Sequence, residues 1–226
     1  MSPMKNKLFI VEYPRRSEFA EAAVIPVEHD YAKFVSCPKC GARVSGAYWA
    51  HPREVVLTKH KVPDFLYAYC DNTPFLISEK AMEKITQAGL KGIICFEEIE
   101  KIRFQRKSKR DIVPPKYYHI ELARSHITIN HQESNIVYGR QNKSVICSLC
   151  NQVPATYNFF RSLSFNTDVF EGYDIFQIYE LGNTVFLSER FVEFYRDSML
   201  SNLHFGPANK HGNWESAYFL DGNEDA

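Results

Sequence analysis

Two stretches of the chain carry the same succession of apolar and polar positions. FLYAY from Phe65 and IFQIY from Ile175 are short apolar runs rich in β-formers. Each is followed by a polar turn, DNTP or LGNT, and then by a second apolar run, FLI or VFL, that ends on a serine. This pattern predicts two hairpins. Ser78 and Ser188 then stand where a helix begins, each followed by a glutamate in the first turn, where the helix dipole favours negative charge. Beyond them Ala81, Met82 and Ile85, and likewise Phe191, Val192 and Tyr195, fall on one face of a 3.6-residue period, so each predicted helix buries a single stripe. Gly89 predicts the end of the first helix. GIICFEEI reads as a further strand behind it, and LHFG takes that place in the second stretch.

The two stretches lie 110 positions apart, and the offset brings more than periodicity into line. Asp64, Tyr69, Ser78, Glu79, Glu83 and Leu90 meet Asp174, Tyr179, Ser188, Glu189, Glu193 and Leu200. These are six identities in about thirty positions, against roughly two expected from average residue usage. The expectation is an α+β fold made of two related β-β-α-β halves that share one core. In this reading residues 1–226 form a single domain, with halves at about 30–100 and 140–207. The connecting region 101–139 is read as extended, and 208–226 is an acidic tail. The pattern is equally consistent with a monomer and with an oligomer.

With 45% hydrophobic and 14% aromatic residues, a chain of 226 can bury a sizeable core. Lys plus Arg and Asp plus Glu number 27 each, so no global field draws the chain to nucleic acid or to an anionic membrane. The apolar run Leu8 to Val11, broken by Glu12 and Pro14, is too short for a signal core or a membrane span, and the expected compartment is the cytoplasm. In that reducing setting six cysteines point to thiolate chemistry or metal binding, not to a disulfide framework. Cys70 and Cys95, inside apolar runs, read as core residues.

The other four cysteines come in pairs, CPKCG at 37–41 and CSLC at 147–150. A Cys-x-x-Cys turn presents two thiolates to one metal ion, and zinc in structural sites takes four tetrahedral ligands. Cys37, Cys40, Cys147 and Cys150 are therefore the candidate ligands of one structural zinc ion joining the halves. The alternatives are two separate or empty pairs, or a redox dithiol; neither pair has the Cys-Gly-Pro-Cys context of the latter. Asn151 stands where the first pair has Gly41, and asparagine tolerates the left-handed turn. Four thiolates leave zinc no open position, so this site is structural and no enzyme is expected.

Other constellations are read as background. His119, His126 and His131, with Glu121 or Glu133, have no HExxH-like spacing, and surface histidines are preferred to a second metal or hydrolase site. KIRFQRKSKR, 101–110, is read as a solvated loop or edge strand ahead of a phosphate-binding patch. Glu97 and Glu98 look like a solvent-facing strand end. Tyr48, Trp49, Tyr117, Tyr118, Trp214 and Tyr218 are placed near surfaces, where aromatics serve protein recognition. No P-loop, GxSxG or GxGxxG motif is present.

CPKCG, CSLC, PFLISEKAMEKITQAGLKGI and TDVFEGYDIFQIYELGNTVFLSERFVEFYRDSML together resemble the double-CxxCG motif family, a myxobacterial paralogous set. The resemblance covers about residues 8–206. Members of that family are similar to immunity proteins of polymorphic toxin systems, and what this implies is neutralisation of a cognate protein toxin by binding, without catalysis. The competing expectation is a zinc-ribbon-like nucleic-acid-binding module working through 101–110, in which Lys107, Lys109 and Arg110 would carry salt-sensitive binding.

Overall fold

The computed structural model describes residues 7–12, 18–25, 37–39, 51–68, 75–106, 112–138, 147–149, 157–166, 172–181 and 184–210. A first series of elements runs β1 (Leu8–Glu12), β2 (Ala22–Ile25), β3 (Glu54–Leu57), β4 (Phe65–Tyr67), β5 (Phe75–Ser78), α1 (Glu79–Gln87), β6 (Ile93–Glu98) and β7 (Lys101–Phe104). A second runs β8 (Tyr117–Leu122), β9 (Arg124–Ser125), β10 (Thr128–Ile129), β11 (Asn135–Tyr138), β12 (Tyr157–Ser162), β13 (Phe165–Asn166), β14 (Ile175–Ile178), β15 (Val185–Ser188), α2 (Glu189–Asp197) and β16 (His204–Pro207). The fold is α+β, mostly strands with two helices.

Both helices begin where the serines predict. The Ser78 hydroxyl accepts from Ala81 N–H and the Ser188 hydroxyl from Phe191 N–H, each at 3.1 Å, which satisfies one of the N–H groups that a helix start leaves open. Gly89 follows α1 with φ +61°, the left-handed stop expected of it, and Met199 takes φ 53° at the matching place behind α2. Ala81, Ile85, Phe191 and Val192 are fully buried.

Hairpin β4–β5 continues through β8 to β6 in a four-stranded sheet, and hairpin β14–β15 continues through β1 to β16, with β9 added in parallel beside β14. The two inserted strands cross over. β1, which precedes the first hairpin–helix block in the chain, pairs with β15 and β16 of the second; β8, which precedes the second block, pairs with β5 and β6 of the first. The registers match as well: Leu8 faces Ser188 and Phe9 faces Leu187, while Tyr117 faces Ser78 and Tyr118 faces Ile77. Neither sheet is complete without the other block's strand. Residues 117–122, inside the stretch read from sequence as a connection, are thus a central strand.

One apolar cluster spans both blocks, with Phe65, Phe75, Ile77, Ala81 and Ile120 packed in common with Val185, Leu187, Phe191 and Leu200. Leu8, Ile10, Phe176 and Phe186 cover the far face of the five-stranded sheet, under β10–β13 and β11–β12. On the four-stranded sheet Leu66, Leu76 and Tyr117 meet Val55 and Leu57 of β2–β3–β7. Strands β5, β14 and β15 are therefore buried on both faces, which is why β5 and β15 run apolar up to their capping serines instead of alternating, and why β14 is broken only by the buried Gln177. Double coverage corrects two expectations, and the outer position of β6 a third. Tyr117 is fully buried, its hydroxyl donating to Pro63 O, and His119 is buried too, whereas Cys95, read as core, is half-buried with its thiol 3.5 Å from Glu121.

Candidate functional site

Residues 37–39 and 147–149 each enter a turn, and the two turns meet. Cys37 Sγ lies 3.8 Å from Cys147 Sγ, with both residues buried at 3% and 6% exposure, and Lys39 Nζ donates to Ser148 Oγ across the same junction. A disulfide needs sulfurs about 2.05 Å apart. Around a zinc ion with Zn–S bonds of about 2.3 Å, tetrahedral geometry sets neighbouring sulfurs at roughly 3.8 Å. The two thiols fit two corners of such a site. Cys40 and Cys150, the other expected ligands, lie outside the described residues, and among the described residues no three His, Cys, Asp or Glu side chains group to hold a metal.

Close to the helix starts, two aspartates tie the blocks together, each reaching into the other half. Asp64 accepts from the Ser78 hydroxyl at 2.9 Å within its own block, and from Ser201 N–H at 3.0 Å and Ser201 Oγ at 2.9 Å behind α2. Asp174 accepts from the Ser188 hydroxyl at 2.9 Å and from Lys91 N–H, also at 2.9 Å, behind α1. The cations that follow the caps do the same: Lys80 bonds Asp64 and Met199 O, and Arg190 bonds Asp174, Ala88 O and Gly89 O. Every member of one set stands 110 positions from its counterpart or within one of it. In the sequence the 110-position offset aligns Asp64 with Asp174 beside the capping serines, and that identity is the signal for their shared role.

A second polar cluster surrounds Arg53, which is 1% exposed. Its guanidinium is 2.6 Å from Glu97 Oε2 and its N–H donates to Glu100 at 2.7 Å. Burial would raise the Glu100 carboxyl, but hydrogen bonds from His51 and the Arg53 N–H outweigh it and hold the group below its ordinary range. Burial, with help from Arg53, pushes His119 below the usual imidazole range although Glu97 pulls the other way.

The three histidines of the sequence cluster have separate surroundings. His119 faces Glu97, His126 stacks on Tyr179 at 5.2 Å, and His131 Nε2 lies 3.2 Å from Glu180. Glu180 is buried in a 3-10 turn (Tyr179–Leu181), and desolvation raises its carboxyl above the ordinary range against the lowering pull of Ile129 N–H and His131. Of the basic stretch, 101–104 forms β7, an outer strand with Lys101 and Arg103 exposed, and 107–110 lies outside the described residues. No helix among the described residues is long and apolar enough to cross a membrane.

The family model described as Immunity protein family (Imm11) matches residues 58–210, from the strand pair that opens the first block to the end of the second. No curated protein matches the chain. The match agrees with the resemblance to immunity proteins; its description says nothing of a double-CxxCG motif.

Proposed function

The chain belongs to the Imm11 immunity protein family, and on that premise we propose that it binds a cognate bacterial toxin and neutralises it by occupation, in the cytoplasm of the cell it protects. The observation that carries this reading is the family match over residues 58–210. Occupation asks for a rigid scaffold and a complementary surface, and for no convergent acid, base or nucleophile.

The scaffold part of the proposal is that one domain is built from two copies of a single unit, tied at one structural zinc ion by Cys37, Cys40, Cys147 and Cys150. The recurrence of caps, aspartate ties and inserted strands at one offset supports the copies. The 3.8 Å approach of Cys37 to Cys147 supports the shared site. Bound zinc adds folding free energy directly. The chain's own contribution is to bring buried thiols from distant sequence positions to one point.

Co-expression tests the function. Cells producing the toxin domain encoded beside this chain are expected to survive when the chain is present, and the two proteins to co-purify. Failure to protect against any toxin encoded in its neighbourhood overturns the proposal.

A further inference from the structure

In the four-stranded sheet β6 is an outer strand, and its pairing determines which backbone groups are used. Ile99 N–H donates to Tyr117 O at 2.9 Å. The register Glu98–Tyr118, Glu97–His119, Phe96–Ile120 and Cys95–Glu121 then makes Cys95 and Glu97 the residues bonded to β8. Alternate residues of an antiparallel strand turn their N–H and C=O to opposite sides. Phe96 and Glu98 point theirs away from β8, where no backbone partner meets them among the described residues. Ile94, at the register shift, is 62% exposed.

The matching outer strand of the other sheet is differently made. β16 ends in Pro207, which has no N–H to offer, and carries His204 at the position corresponding to Ile94. Proline and charge are the usual guards of a sheet edge. β6, IICFEE, has no proline and exposes an isoleucine, and its two charges, Glu97 and Glu98, are both acidic, so they repel an acidic strand but not a cationic one.

We propose that β6 is the docking edge for the toxin, which adds an extended cationic segment to it as a further strand. This rests on the immunity reading. Charge selects the occupant. Glu97 and Glu98, as neighbours in a strand, face opposite sides of the sheet. Arg53 answers Glu97 from the buried side, while among the described residues Glu98 has only Lys116 at 3.7 Å, which it shares with Glu79 at 3.8 Å. Exposed Glu121 on β8 has no ion-pair partner among the described residues. A segment alternating Lys or Arg with small apolar residues meets carboxylates on either face and Ile94 at its end.

The test uses the full chain and the toxin domain that it protects against, with affinity measured by titration calorimetry. Glu98→Pro removes one outward N–H without touching the β8 ladder, and Ile94→Lys sets a cation where a cationic segment must approach. Each is expected to weaken binding roughly tenfold or more, while His204→Lys on β16 leaves it unchanged. Should Glu98→Pro prove unstable, Glu98→Lys with an unaltered melting temperature takes its place. Wild-type affinity in the β6 variants overturns the docking edge and leaves the immunity reading standing; a wild-type chain that neither binds nor protects removes both.

Discussion

Asp174 is 4% exposed and its two oxygens hold the cap serine of α2, the Arg190 guanidinium and the Lys91 N–H of the opposite block. Replacing it by alanine takes the acceptor from the buried Ser188 hydroxyl and the partly buried Lys91 N–H, and a loss of about 3 kcal/mol is expected in urea unfolding. Ser188→Ala, which removes one cap, is expected to cost about 1 kcal/mol. Gly92 is a different kind of requirement: at φ +111° an added Cβ would sit 1.9 Å from Ile175 O. The counterpart, Asn202, has φ 69° and uses its side chain to donate to Phe65 O at 2.8 Å. Gly92→Ala therefore destabilises the chain more than Gly89→Ala, whose Cβ meets open space. Glu180 gives a pH test. Because burial raises its carboxyl, the folded chain binds that proton more tightly than the unfolded one, and stability falls as pH rises from the ordinary carboxylate range through the raised value. Glu180→Gln should melt above wild type at neutral pH and lose the advantage in acid. A gap independent of pH would contradict this assignment.

At the scale of elements, legibility followed locality. Hairpins β4–β5 and β14–β15, the capping serines and both helices were readable because turn residues, caps and the helical stripe lie within a few positions of one another. The strand exchange was not. A strand's partner is not written in its own periodicity, so the run Leu8 to Val11 offered only its length, and 117–122 looked like a connection. The same strand hid Tyr117 and His119, since a central strand covered on both faces has no alternation to show which side chains are exposed. The exchange carries its own prediction. Ile120→Ala in β8 and Phe191→Ala in α2, which line the shared cluster from different blocks, are each expected to cost about 3 kcal/mol. Both should unfold the chain in one transition seen alike by far-ultraviolet and near-ultraviolet circular dichroism, whereas two separate transitions would mean that the blocks stand alone.

For the whole molecule, the sequence pairs the cysteines by motif alone, and the structure brings Cys37 to Cys147 across a separation of 110 positions. If zinc joins them, the purified chain carries one metal equivalent, Cys37→Ser or Cys147→Ser abolishes it, and a chelator lowers the melting temperature of wild type but not of the variants. The zero net charge of the chain places recognition in local surface features. Neutralisation by occupation is tested most directly by titrating the chain into a fixed amount of active toxin domain and following the toxin's remaining activity. A sharp end point at one equivalent is expected, reached at once and unchanged by time. Inactivation that proceeds at a small fraction of an equivalent and deepens with incubation, or none at any excess, would contradict it.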